Sequence, residues 1–181
     1  MLRALVPFLS AASLVLAAPL AAAQEDPRIA RGAAAVAPFQ QQLMAALQEG
    51  LAQGPEAAID ACRVRAPELA RAASSGGVRV GRTSHKLRNP ANAPAPWMKP
   101  LLAGYLASPA DRRPHAVDLP DGRVGYVQPI LVQAPCLVCH GESIAEPLRA
   151  KLAALYPHDR ATGFREGDFR GVFWAELARD D

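Results

Sequence analysis

Apolar residues in the first third of the chain recur at helical spacing. Val36, Phe39, Leu43, Leu47 and Leu51 follow one another at three- and four-residue steps, which predicts an amphipathic helix over residues 26–53. Asp26-Pro27 supplies a start, and Gly50 and Gly54 punctuate the end. Pro38 lies inside and should bend the helix or mark a second start. A second helix is predicted from Pro55 to Ala73, with proline in its first turn. Ile59, Cys62, Ala66, Leu69 and Ala73 form its apolar stripe, so Cys62 faces inward. Pro67 has no N–H to give the Arg63 carbonyl, which predicts a kink one turn after Cys62. "SSGG" at Ser74–Gly77 ends the element.

The pattern then changes period. Val78–Thr83 alternates like a strand and gives way to a loop rich in proline and asparagine. Trp97–Leu106 reads as a short helix. Ala116–Leu119 and Arg123–Val132 read as two strands joined through Pro-Asp-Gly. A helix over Ile144–Leu155 puts Leu148, Leu152 and Leu155 on one side. "VFWAEL" closes the chain as a strand, with Phe173, Ala175 and Leu177 on one face and Val172, Trp174 and Glu176 on the other. Helices first and strands later, with no repeated crossover, predict an α+β fold whose antiparallel sheet packs on helices at one face.

The first residues are of a different kind. Arg3, an apolar run through Leu20 and small residues at Ala21 and Ala23 are the signs of a secretory signal over residues 1–23. Residues 24–181 are then expected to form one domain outside the cytoplasm, in the periplasm, with no membrane span after signal cleavage. Of 181 residues, 50% are hydrophobic and 20% charged, as in ordinary globular proteins. The formal charge of +3 falls to about +2 without Arg3, and the charges are scattered, so nucleic acid is not an expected partner.

Candidate chemistry concentrates in "APCLVCHGES", where Cys136, Cys139 and His140 form Cys-x-x-Cys-His. Haem c attachment needs two thiols a helical turn apart, to meet two vinyl groups, and a histidine beside the second to reach iron. The export signal leads to a compartment where that attachment occurs in bacteria. On this reading Cys136 and Cys139 form thioethers and His140 binds iron through Nε2, its Nδ1–H held by a backbone carbonyl. A redox-active dithiol is the rival, but the parallel framework of thioredoxin-like proteins is not evident. Zinc is a third reading; it needs four ligands and no second paired motif exists.

The other face of the iron is less determined. Candidates are Cys62, Met44, Met98, His85, His115 and His158. Met44 and Met98 also read as core or packing residues, and the three histidines as exposed ones. Thioether formation would leave Cys62 the odd thiol in an oxidising compartment, where it must be buried or ligated. The residues alone leave cysteine and methionine both open.

Three stretches, "RTSHKLRNPANAPAPW", "GYVQPILVQAPCLVCHG" and "YPHDRATGFREGDFRGVFWAEL", together resemble a c-type haem family of small periplasmic proteins with a PAS-like fold. That family also occurs as the sensor domain of bacterial histidine kinases and other signalling proteins. The resemblance implies a central antiparallel sheet of about five strands, flanked by N-terminal helices and a helix after the haem motif. It implies one covalent haem c, with His140 on one side of the iron and, from the helix "AIDACRVRAPELA", Cys62 on the other. His85 departs from an expected apolar position and reads as an exposed, neutral change. Arg82, Lys86 and Arg88 cluster in a loop of the signature and are the expected partners of the haem propionates. Tyr126 and Trp97 are candidates for the pocket wall or for aromatic core. Asp168 and Arg170 are expected to order the final turn.

A thiolate ligand stabilises ferric iron and implies a low potential. Reduction is expected to loosen it and open a position for a small diatomic ligand, a two-state element biased by redox state. The leading functional expectation is therefore a redox or small-gas sensor that works through a separate signalling or redox partner protein. An electron-transfer cytochrome is the alternative, and a dithiol oxidoreductase a third.

Overall fold

The computed structural model describes residues 26–179, so the signal expected over residues 1–23 lies outside the described residues. Helix α1 (Pro27–Ala52) begins where Asp26 accepts the Arg28 backbone N–H at 3.0 Å. It runs unbroken through Pro38, so there is no second start. Its buried face, Val36, Phe39 and Leu43, is the one given by the apolar spacing. Helix α2 (Pro55–Asp60) returns against it.

The predicted kink takes the form of a π-helical turn at Ala61–Arg65. The proline ring at position 67 crowds the Arg63 carbonyl and offers it no N–H, so the backbone widens here. The Ala66 N–H accordingly reaches back five residues to the Ala61 carbonyl. Helical geometry resumes in α3 (Ala66–Ala73). Cys62 lies within the π turn.

The four strands are those the alternation predicts: β1 (Arg79–Thr83), β2 (His115–Asp118), β3 (Val124–Leu131) and β4 (Phe169–Leu177). They form one sheet in the order β1-β4-β3-β2, and every pairing in it is antiparallel. The fold is thus α+β with a central antiparallel sheet. Four strands stand where the resemblance implied about five.

Both sheet faces are covered, not one. On the first, α1 and α3 bury Val80, Tyr126, Phe173, Ala175 and Leu177. The Phe39 and Phe173 rings meet edge to face at 5.6 Å. On the second, helix α4 (Met98–Ala107) brings Leu102 and Tyr105 onto Val127 and Val172. Glu176 is buried on this face, held by Arg123 at 2.6 Å, Arg79 at 3.1 Å and the Trp97 indole N–H at 3.0 Å. The short helix α5 (Ala134–His140) carries the cysteine motif. Helix α6 (Glu146–Leu155) packs Leu148 and Leu152 on Ile59 and Tyr156, away from the sheet, while Leu155 is exposed. No helix among the described residues is long and apolar enough to cross a membrane.

Candidate functional site

A cavity of about 340 Å³ lies between the helical layer, the sheet edge and α5. Leu43, Met44, Leu47 and Leu51 of α1 line one side. The last turns of α1's apolar stripe therefore wall a space instead of filling a core. Cys62 lines the same cavity from the π turn. Cys136, Cys139 and His140 line it from α5, and Arg82, Lys86, Arg88 and Arg170 complete it.

The C-terminal end of the motif is held by backbone hydrogen bonds. The Gly141 N–H closes α5 on the Leu137 carbonyl at 2.9 Å, and a Cβ at Gly141 would lie 2.6 Å from that oxygen. The chain at 161–164 then lies alongside: Phe164 N–H donates to the His140 carbonyl and Gly163 N–H to the Gly141 carbonyl, each at 3.0 Å. In return, His140 Nδ1 donates to the Ala161 carbonyl at 2.6 Å. A carbonyl only accepts, so the proton is on Nδ1 and the lone pair on Nε2. Burial, with Arg170 and Arg88 nearby, pushes the His140 pKa down to about 2, so the ring is neutral. This is the tautomer an imidazole needs to ligate a metal.

Arg88 reinforces this frame. Its guanidinium pairs with Asp159 at 2.8 Å and donates to the carbonyls of Cys139 at 2.5 Å and Ala161 at 3.3 Å. Asp159 in turn accepts the Ala161 N–H at 2.7 Å.

Of the six candidate side chains for the far side of the site, two line the cavity: Cys62 and Met44. Met98 is buried in the core. His115 lies 3.4 Å from Asp111 and beside Tyr105. His158 lines a separate groove. His85 is not an exposed, neutral change: it is half-buried, stacked on Phe169 at 5.7 Å, with Phe164 edge-on at 6.0 Å. Burial first, and Lys86 and Arg170 after it, lower its pKa. It fills an apolar slot as a neutral ring, which reconciles it with the apolar residue expected there.

Tyr126 and Trp97 do not line the cavity. Tyr126 is core beneath α1 and Trp97 caps Glu176 on the other sheet face. Asp168 does order the final turn, accepting the Arg165 N–H at 2.7 Å and, through its carbonyl, that of Val132 at 2.9 Å. Arg170 does not. It lines the cavity because β4 is bulged there: Ile130 pairs with Gly171 and Leu131 with Phe169, leaving Arg170 unpaired between them.

The Tll0287-like family profile matches residues 19–177. The chain belongs to the Tll0287-like family. Among solved structures, the cyanobacterial heme-protein Tll0287 is similar, at 28% identity with a TM-score of 0.61 over 82% of this chain and 92% of that one. No curated relative matches the chain.

The geometry of this Tll0287-like chain also bears on the rival chemistries. No disulfide joins any two of the three cysteines. Among the described residues every strand pairing is antiparallel, so the sheet lacks the parallel pairs of a thioredoxin-like frame that would support a redox dithiol. Among the described residues no three His, Cys, Asp or Glu side chains converge as zinc would require. What the cavity does offer is one neutral imidazole, thiols from two elements, an apolar wall and a cationic wall. That donor set fits a flat, amphiphilic, iron-bearing cofactor with acidic side chains. The residues missed from sequence are Arg170, Asp159 and Ala161. All three stand in the "YPHDRATGFREGDFRG" run, but nothing in the spacing tells that this run folds onto the motif.

Proposed function

We propose that this chain is an exported mono-haem c-type cytochrome of PAS-like architecture, acting in the periplasm as a redox or small-gas sensor. The observation that supports this best is the His140 Nδ1–Ala161 bond, which leaves Nε2 of a neutral ring on a cavity shared with three thiols. Cys136 and Cys139 would hold the haem as thioethers, each adding S–H across a vinyl group. His140 and Cys62 are the residues that would hold the iron. Arg82 and Lys86 belong to the cationic wall that would meet the propionates, while Arg88, expected there too, is paired with Asp159 and frames His140. Similarity to a protein named a heme-protein favours the cofactor class.

Haem c supplies one-electron redox chemistry and, with one axial position open, small-ligand binding. The side chain that would give up the iron is Cys62. It sits in a π turn, where Pro67 has already loosened the helical ladder, so it can withdraw without unwinding a regular helix. As a thiolate it favours the oxidised state and gives a low potential. The sensor would signal through a redox or signalling partner protein.

An electron-transfer role is the second reading. Val138, between the two thiols, is exposed, which would let a redox partner dock on the motif helix. Carbon monoxide binding to the reduced protein separates the two. A sensor opens its Cys62 side and binds the gas, whereas a carrier keeps both axial side chains and excludes it.

The cofactor itself is tested by producing the full chain with a c-type maturation system and recording a pyridine haemochrome spectrum and an intact mass. One covalent haem is expected, lost when Cys136 and Cys139 are both replaced by Ala. Three titratable thiols and no haem would overturn the proposal.

A further inference from the structure

We infer that Arg170 is the principal anchor of a carboxylate site on the cavity wall, with Arg82 and Lys86 beside it. The carboxylates it takes are those of the prosthetic group itself, so the inference rests on the haem reading above.

Regular alternation along β4 would put Arg170 on the α4 face with Val172 and Trp174. The bulge breaks the parity. Phe169 joins Val172 in the α4 cluster, Phe173 packs under α1, and Arg170 turns into the cavity. Gly171 makes this turn possible: its φ is +150°, and a Cβ there would lie 2.1 Å from the Thr83 carbonyl oxygen. Ser84 fixes the result. Its hydroxyl donates to the Arg170 carbonyl at 2.6 Å and accepts from Nη1 of the same residue at 2.8 Å. A local break in the sheet is thus held in place so that a guanidinium points inward.

That guanidinium has no anion to meet. Its hydrogen-bond acceptors, Ser84 Oγ and the Lys86 carbonyl at 3.3 Å, are neutral and both use Nη1. Phe164 lies under it at 5.3 Å and under the Lys86 ammonium at 4.8 Å. Lys86 otherwise donates to the Thr162 carbonyl, and Arg82 to the Cys62 carbonyl, each at 3.4 Å. None of the three forms an ion pair among the described residues. The nearby acid, Asp159, is spent on Arg88. The four cations of the wall therefore divide into two kinds. Arg88 is neutralised and frames His140, whereas Arg170, Arg82 and Lys86 present uncompensated charge. Gathering half-buried like charges is unfavourable unless an anion joins them. The depressed pKa of Arg170, about 10 through burial and then Arg82 and Arg88, agrees with this crowding.

A carboxylate could come from the cofactor or from solution. Resonance Raman spectra of the holoprotein decide, because the propionate-bending bands follow the strength of the hydrogen bonds to those groups. Arg170→Gln is expected to shift these bands down and to lower the midpoint potential, since a positive charge near the iron is lost. Arg170→Lys should restore the potential more than the band position, because a lysine keeps the charge but not the forked donor. Lys99→Gln, an exposed site elsewhere, should change neither. If Arg170→Gln yields no holoprotein, Arg82→Gln decides in its place, with the same direction expected. Unmoved bands in the haem-loaded variant overturn the inference while leaving the haem reading intact; absence of haem from the wild type overturns that reading first. Adding sodium acetate at constant ionic strength identifies the other source. If acetate stabilises the wild type but not Arg170→Gln, the site takes a free anion and the assignment to the cofactor's carboxylates is wrong.

Discussion

Arg88 and Asp159 form an ion pair of 2.8 Å with side chains only 10% and 12% exposed, and between them they touch three backbone groups of the His140 frame. Breaking one side of such a pair leaves the other charge buried. Arg88→Met or Asp159→Asn should each destabilise the protein by about 3 to 5 kcal/mol. The double variant should lose clearly less than the sum of the two, because the partners share one interaction. Urea unfolding of the four proteins checks this, and additive losses would show that the pair is not coupled.

Glu176 is the second buried charge, 5% exposed beneath Arg123, Arg79 and Trp97. It lies on the α4 face of the sheet, remote from the cavity. Glu176→Ala should lower stability by about 3 kcal/mol. The haem absorption spectrum should be unchanged, because no cavity residue loses a partner. A spectral change at full occupancy would contradict this separation of the two faces.

Two helical glycines should respond in opposite ways. A Cβ at Gly32 of α1 would lie 2.1 Å from the Tyr126 ring, whereas one at Gly104 of α4 meets nothing within 4 Å. Gly104→Ala should stabilise by about 0.5 to 1 kcal/mol through helix propensity. Gly32→Ala should destabilise by about 1 to 3 kcal/mol, because the clash outweighs the same gain. Thermal or urea unfolding reads both signs.

The chain has three tyrosines, and burial raises the pKa of each: Tyr105, Tyr126 and Tyr156. The unfolded chain ionises them near their ordinary value of 10, while the folded chain holds them neutral. Their contribution to stability is complete below about pH 10 and is lost as pH rises through the folded values. Phenolate absorbance should therefore be nearly absent in the native protein just above pH 10 and appear together with loss of far-UV dichroism. Three tyrosines titrating near pH 10 in a folded chain would contradict it.

Much of this molecule is legible in its sequence because two periodicities carry it. The spacing of Val36, Phe39 and Leu43 gave α1, and alternation gave three strands to within a residue and the last to within three, its start at Phe169 lying in a run that reads as loop. Pro67 pointed to a distortion one turn after Cys62, though not to a π turn. What failed did so for physical reasons. Periodicity reports which face is apolar but not whether protein or cavity lies against it, so Leu47 and Leu51 read as core. A bulge adds one residue and reverses a strand's faces, which hid Arg170 among turn formers. Charge type gives no information on pairing, so Arg88, already neutralised by Asp159, read the same as Arg82. His85 read as exposed because its neighbours in sequence are polar, while its neighbours in space are Phe164 and Phe169.

The central claim is that Cys62 and His140, both on one cavity, are the two side chains that meet a haem iron. Electron paramagnetic resonance of the oxidised holoprotein, with and without Cys62→Ala, tests it most directly, with Met44→Leu alongside because Met44 lines the same cavity. The wild type should give a low-spin signal with the narrow g-spread of thiolate ligation. Cys62→Ala should lose that signal, and Met44→Leu should keep it. A spectrum unchanged by Cys62→Ala, or one abolished by Met44→Leu alone, would contradict the assignment.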